Sequence, residues 1–523
     1  MLAQVTSCVL AGLEGSLVQV EVDIQTGLPN TTIVGLPDAA VRESKDRLNA
    51  ALRNAGFEYP QARVTVNLAP ADVRKEGPAY DLPIALGLLC ASRQLSAPLS
   101  DALVIGEIAL DGALRHTNGI LPVTIAARAL GLKRVLVPFA NAAEAALIAG
   151  IDVIAAPDLP ALVAHLAGRR PIPPVARTTA PRQDQSPWGV DLAEVRGQEL
   201  ARRAIEIAAA GGHNLLFTGP PGAGKTMLAR CLPSILPPLT PDEALEVTAV
   251  YSVAGALPPA TPLIWARPFR SPHHTISNAG LIGGGAWPRP GEVSLAHHGV
   301  LFLDELPEFG AHVTEVLRQP LEDRLVVIAR AAATATFPAA FTLVAARNPC
   351  PCGHAGDPSR SCTCSPTTVG RYRRRLSGPL LDRIDMHVEV PRVEHARLLD
   401  PTPAEASAAV RARVVRARAV QLRRFHRLDN GSTAPARGLS LRGPFGAPSC
   451  NAMMSAADVR RFCAPTAAGL RLLRAGMHRL DLSARSYHRV LKLARTIADL
   501  DESSAIDAPH VAEALQYRPR DAR

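Results

Sequence analysis

Apolar and polar positions alternate in three regimes along the 523 residues. Over residues 1–168, short β-branched runs at 6–10, 18–24 and 32–34 predict strands. A helical pattern follows at 39–55, opened by Pro37-Asp38, and strands are predicted again near 64–67, 103–108 and 134–137. This is the pattern of a compact α/β domain. Between 169 and 189 the apolar spacing stops and Pro, Arg, Thr and Gln take over, which predicts an extended linker. In residues 190–392, apolar runs at 214–218, 300–303 and 341–346 each end in polar residues, as strands buried in a parallel sheet do. From 393 to 523 the period is helical, at 405–425, 456–463, 467–479, 483–500 and 507–517, broken by a Gly/Pro/Ser-rich loop at 431–448.

Composition changes that picture little. A 47% hydrophobic and 20% charged chain is an ordinary globular protein of several domains. No apolar run reaches the roughly 18 residues of a membrane helix, and no signal peptide opens the chain, so the expected location is cytoplasmic. Nine cysteines are too few and too clustered for a secreted disulfide scaffold. Charge is more informative. Residues 1–170 hold 14 Lys/Arg against 16 Asp/Glu, and the remainder holds 43 against 31. The basic excess sits in the second part, which hints at a polyanionic partner.

Chemistry enters at Gly219-Pro220-Pro221-Gly222-Ala223-Gly224-Lys225-Thr226. A strand, a small-residue loop and a helix starting near Lys225 form a P-loop, whose inward N–H groups and helix N-terminus cradle a polyphosphate. Lys225 is expected on the β- and γ-phosphates of ATP, and the Thr226 hydroxyl on Mg²⁺. The later strand ends in Asp304-Glu305. At the carboxyl edge of a parallel sheet both face the phosphates, Asp304 toward Mg²⁺ through water and Glu305 as general base for the attacking water. The strand at 341–348 ends in Asn348, where an amide can sense the γ-phosphate; the alternative is a cap before Pro349. Residues 326–330 and 333–337 could pair as a hairpin between these strands.

Other clusters leave alternatives open. His273-His274 lies in a polar loop expected near the nucleotide or a pore, with metal binding a weaker option. Cys350, Cys352, Cys362 and Cys364, as C-x-C twice, could hold structural zinc with His354 in reserve; reduced thiols or a redox pair are the alternatives. Arg383, in Ser377-Gly-Pro-Leu-Leu-Asp-Arg383-Ile-Asp385, is expected as an arginine finger reaching a neighbouring subunit's ATP, or else as a salt-bridge partner of Asp382 or Asp385. Arg485, at a helix start, is expected to contact the γ-phosphate from a helical lid. Arginines 411, 413, 416, 418, 423 and 424 spread around one helix and read as a solvated surface.

Two resemblances add to these readings. Gly106-Glu-Ile-Ala-Leu-Asp-Gly112, Asn118-Gly119 and Ala129-Leu-Gly-Leu-Lys-Arg-Val-Leu-Val-Pro138 resemble the proteolytic domain of Lon-type proteases (a ribosomal S5 domain 2-like fold). Where that family carries its Ser/Lys dyad this chain has Ala79 and Leu121, so peptidase chemistry has no agent unless Tyr80 substitutes. A platform for a protein partner is the remaining expectation for this domain. Across the whole chain, Asn-Pro-Cys-Pro-Cys-Gly353, Gly378-Pro-Leu-Leu-Asp-Arg-Ile-Asp385 and Ala494-Arg-Thr-Ile-Ala-Asp-Leu500 resemble the magnesium-chelatase-like AAA+ ATPases of the ComM/YifB family. That resemblance implies an α/β multidomain protein: a Lon-like domain, an AAA+ P-loop core, a C-terminal helical lid, and a hexameric ring. It implies a helicase driving branch migration of forked or branched DNA in transformation; a chelatase-type motor remodelling a protein or metal-insertion partner is the alternative. In helicases of this branch the hairpin points into the pore.

Overall fold

The computed structural model describes residues 1–177, 190–258, 261–285, 287–330, 334–357, 360–393, 404–426, 448–480 and 482–519. Most of the expected linker and of the 431–448 loop lies outside them.

The first 168 residues build a seven-stranded mixed sheet. Its strands are β1 (Leu2–Ala11), β2 (Glu14–Gln25), β3 (Asn30–Val34), β4 (Arg63–Ala69), β5 (Ala102–Val104), β6 (Arg134–Pro138) and β7 (Asp152–Ala156). Their order is β3-β4-β2-β1-β5-β6-β7. The antiparallel β1–β2 pair, with Val5 opposite Val20, buries its valines against the Asp81–Ala91 helix. That helix is apolar on nearly every side, as one enclosed by its surroundings must be. The Ala39–Asn54 helix starts where Asp38 accepts a hydrogen bond from the Val41 N–H (2.8 Å). The single strand expected at 103–108 is in fact two pieces, β5 and Glu107–Ile108. Gly106 leaves the sheet between them because its N–H donates to Ala79 O and its carbonyl accepts from Leu82 N.

The second sheet is wholly parallel. It contains β8 (Leu215–Thr218), β9 (Phe269–Arg270), β10 (Val300–Leu303), β13 (Thr342–Arg347) and β14 (Met386–Glu389), ordered β9-β10-β13-β8-β14. Leu215 lies in register with Val344 on one side and Met386 on the other. The three strands whose ends carry the P-loop, Asp304 and Asn348 are thereby neighbours. Between β10 and β13, β11 (Leu325–Ala329) and β12 (Thr334–Pro338) pair as an antiparallel hairpin. It buries Val326, Ile328, Ala335 and Phe337 and leaves Val327 42% exposed.

The helices Ser407–His426, Ala484–Leu500 and Ala508–Gln516 pack into the same core as Glu199–Gly211. Three of the six arginines of Ser407–His426, at 413, 418 and 424, leave the solvated surface expected of them, while Arg416 and Arg423 stay exposed. Arg413 pairs with Glu206 (2.6 Å) and Glu405, Arg416 with Glu502 (3.0 Å), and Arg424 with Asp499. Arg418 donates to the carbonyl of Ala209 (2.7 Å). Four of the six hold the helix to its neighbours. A second core runs across the two sheets' units, joining Ile120, Leu121 and Val123 to Val247 and Val250 of the Pro241–Ala254 helix.

Candidate active site

The glycine-rich loop leaves β8 and enters the Lys225–Ile235 helix. Gly219 is obligatory there: a Cβ on it would overlap the carbonyl oxygen of Val390 at the end of β14. Lys225 is folded back into the loop, its Nζ donating to the carbonyls of Gly219 (2.7 Å) and Pro220 (2.9 Å) and to Asn348 Oδ1 (3.0 Å). Burial pushes this ammonium below the ordinary lysine range, while the carboxylates of Asp304 and Glu305 oppose the shift. Next to it, the Thr226 hydroxyl donates to Asp304 Oδ2 (2.8 Å). One hydroxyl and one carboxylate in contact suit Mg²⁺, which keeps several ligands as water and phosphate oxygen. An ammonium held by three oxygens, within reach of loop amides, likewise suits the phosphates of ATP. Lys225, Asn348, Thr226 and Asp304 are thus brought together, as two hydrogen-bonded pairs at one sheet edge.

Glu305 follows at φ 51°, a left-handed conformation uncommon outside glycine and frequent at functional sites. Its N–H donates to Asp304 Oδ1 (2.9 Å), and its side chain is 53% exposed, open to water. His274 stands beside it, with Nδ1 4.0 Å from Glu305 Oε2. The His273–His274 loop therefore abuts the candidate base; the two imidazoles lie against each other at a tilt (centroids 4.1 Å apart, planes 34° apart). A metal-compatible cluster exists elsewhere, at Glu246, His297 and His298. Its hydrogen bonds are satisfied without an ion. His297 Nδ1 accepts from Ala340 N (3.1 Å), so its Nε2 carries the proton and donates to Glu246 (3.1 Å).

Beside the P-loop a cavity of about 360 Å³ opens at the ends of β8, β13 and β14, walled by Gly219, Pro220, Asn348, Gly356 and Asp357. Lys225 and Thr226 do not line it, so it is a side chamber of the phosphate cradle. The four cysteines of 350–364 form its outer wall's neighbour, with all Sγ atoms within 4.8 Å of one another. His354 is not among them; its Nδ1 faces Asp357 (3.5 Å).

The two outlying arginines are not at this site. Arg383 pairs with Glu322 (2.6 Å), not with the Asp382 or Asp385 of the alternative reading, and its side chain is 12% exposed. Asp385 is engaged elsewhere: burial opposes its charge, but His213 and Arg489 hold the carboxyl far below its usual range. Arg485 opens the Ala484–Leu500 helix, exposed, and touches no P-loop residue among the described residues. At the place of the Lon dyad, Ala79 sits in the Pro78–Tyr80 turn, and Tyr80 is buried with its hydroxyl on Cys8 O (3.3 Å). Burial pushes that phenol far above its ordinary range, which disfavours the phenolate that a nucleophile would need.

Residues 20–141, 191–398 and 404–518 match family models described as subunit ChlI of Mg-chelatase, magnesium chelatase subunit ChlI, and the C-terminal part of that subunit. YifB of Escherichia coli K12 is 43% identical over 519 residues, spanning 98% of this chain and 96% of that protein. The chain belongs to the magnesium-chelatase-like ComM/YifB family. Competence protein ComM of Haemophilus influenzae is 43% identical over 525 residues, 99% of this chain and 97% of that protein. Lon protease 2 of Bacillus subtilis is 26% identical over 160 residues, 27% of this chain and 28% of that protein. Membership makes this a mixed α/β AAA+ protein with Lon homology, consistent with the P-loop geometry. No helix among the described residues is long and apolar enough to cross a membrane.

Proposed function

We propose that the protein is an ATP-driven motor of the AAA+ class that works as a homohexameric ring on DNA. Its substrates in this reading are branched recombination intermediates, and its activity is branch migration during natural transformation. The observation that carries the reading is the linked set Lys225–Asn348 and Thr226–Asp304 with Glu305 beside it. Lys225 binds phosphate oxygens, Thr226 and Asp304 hold Mg²⁺, and Glu305 takes a proton from water. Asn348 releases Lys225 to the γ-phosphate and orients that water. Arg383 comes from the adjoining subunit, and Arg485 closes from the C-terminal helices acting as a lid.

The DNA part rests on the name of the competence relative, the basic balance after residue 170, and the β11–β12 hairpin with its exposed Val327. Because Arg413, Arg418 and Arg424 are engaged inside the fold, phosphate contacts fall to other residues, among them the exposed Arg371 and Arg374. A chelatase-type motor acting on a protein partner is the second reading, favoured by the descriptions of the three family models.

Branch migration of a synthetic four-way junction separates them, with Lys225→Ala as control. The first reading expects ATP-dependent conversion of the junction into its duplex products, ATPase stimulated by forked DNA, and DNA affinity that falls steeply with salt. ATP hydrolysis indifferent to forked DNA would sink it and leave the second.

A further inference from the structure

We propose that Cys350, Cys352, Cys362 and Cys364 hold one zinc ion, and that the closed knuckle braces the P-loop. The sulfur geometry comes first. Cys350 and Cys352 Sγ lie 3.3 Å apart, Cys350 and Cys362 3.6 Å, and Cys352 and Cys362 3.5 Å. Four thiolates around zinc at about 2.3 Å require edges of about 3.8 Å, close to these values. A disulfide requires about 2.0 Å, and every cysteine here is free. Two backbone amides point at the sulfurs, Ala355 N at Cys350 (3.3 Å) and Cys364 N at Cys362 (3.4 Å). Such N–H donors lower the cost of gathering thiolate charge and orient the ligands. Cysteines acting only as small core side chains would be sealed among apolar groups; here only Cys350 is fully buried and the other three are half-buried. His354, turned to Asp357, leaves the set as four sulfurs.

The coupling to the P-loop is steric. The turn after Cys352 is made by Gly353 at φ 83°, whose N–H returns to Cys350 O (3.0 Å). A Cβ on Gly353 would lie 2.5 Å from Cδ of Pro221, in the P-loop itself. On the other side, Cys350 stands two residues after Asn348, whose amide holds Lys225. Ala355, Gly356 and Asp357 complete the wall facing Gly219 and Pro220. One ion thus fixes both the outer wall of the phosphate loop and the exit of the β13 strand. Without it, four unlinked thiols leave that wall free to move, and the loop loses the surface against which it is shaped.

The metal half of this inference is independent of any DNA reading; the brace rests only on nucleotide binding at the P-loop. The test uses the full chain purified without chelator. Elemental mass spectrometry is expected to find about one zinc per chain, released by an organomercurial and read with a colorimetric zinc dye. Cobalt replacement is expected to give the visible and near-ultraviolet bands of a tetrahedral thiolate site. Those bands disappear in Cys352→Ser/Cys364→Ser and persist in Cys90→Ser. A wild-type chain that holds under about a tenth of an equivalent of metal and gives no cobalt spectrum after reduction overturns the site, whatever the variants do. For the brace, affinity for a fluorescent ATP analogue is expected to fall about tenfold or more on zinc removal and to return on refilling. Unchanged affinity in the zinc-free chain overturns the brace while leaving the metal site standing. ATPase that ignores forked DNA bears on neither.

Discussion

The assignment of Arg383 to a neighbour's active site can be tested by mixing two dead proteins. Arg383→Ala removes a guanidinium, 12% exposed, that pairs with the half-exposed Glu322 and donates to Pro379 O (2.7 Å), contacts whose loss costs the fold about 1–3 kcal/mol. Its loss from catalysis is a larger effect, about 10³–10⁵ in rate where an arginine finger is removed, or some 4–7 kcal/mol of transition-state stabilisation. Lys225→Ala removes the ammonium now held by Gly219 O, Pro220 O and Asn348, and with it phosphate binding. Each variant alone is expected to be inactive. In a ring assembled at random from equal amounts, a working site needs an intact P-loop facing an intact arginine. About a quarter of the interfaces meet that condition, so the mixture recovers up to about a quarter of wild-type turnover. The assay is phosphate release from chains refolded or co-expressed together, with differently tagged copies to prove that they share rings. If co-assembled mixtures stay at the background of either variant, the arginine acts in its own subunit or not at all. Retention of more than about a tenth of wild-type rate by Arg383→Ala alone refutes the assignment directly.

Other expectations are shorter. Glu305→Gln keeps the shape of an exposed side chain, so ATP binding persists while turnover falls about 10²–10⁴-fold; ordinary turnover measured by phosphate release excludes Glu305 as the base. His297 is pushed down to about 4, by burial first and then by His298, against the pull of Glu246 and Glu243. A buried neutral histidine that must take up a proton on unfolding stabilises the fold fully above about pH 6.5 and loses that contribution as pH falls toward 4, about 3 kcal/mol in all. Urea titrations at pH 7, 5.5 and 4 are expected to show that loss in wild type and less of it in His297→Gln; parallel losses in both put the acid sensitivity elsewhere. Ser252→Ala strips one donor from the buried Glu144 carboxylate and is expected to cost about 1–3 kcal/mol in the same titration, and a change near zero means that this bond does not hold the two units together.

What could be read from the sequence was local. The P-loop spelling encodes its own turn and helix start, and the runs ahead of Asp304 and Asn348 encode buried strands, because loop amides and strand periods depend on adjacent residues. The hairpin pairing of β11 with β12 was legible for the same reason. Partners distant in the chain were not. Nothing in the pattern ties Arg383 to Glu322, and Arg413 meets Glu206 across 207 positions. Counting arginines therefore overstated the free basic surface, since a guanidinium bound to a carboxylate inside the fold no longer competes for phosphate. The contact of Gly353 with Pro221 was hidden likewise: the sequence shows a cysteine knuckle and a P-loop, and only folding sets one against the other.

The Lon-like unit acquires a physical role from the same kind of contact. At the place where the dyad lysine would stand, the N–H of Leu121 donates to Glu144 Oε1 (2.9 Å), and Asn141 donates to the other oxygen (3.1 Å). Ser252, from the Pro241–Ala254 helix of the ATPase, donates its hydroxyl to the same Glu144 oxygen that Leu121 meets. Gly119 N–H returns a bond to the Ser252 hydroxyl (3.0 Å). Glu144 is 5% exposed, so separating the two units would leave a buried carboxylate short of a donor as well as exposing Ile120, Leu121 and Val123. A lysine at 121 would meet the apolar side of this joint. The bond to Glu144 at position 121 is made by the backbone, and the Leu121 side chain adds apolar packing to the joint. The two units thus share a buried carboxylate and an apolar seam, and Ser252 is the residue on the ATPase side that ties them through that carboxylate.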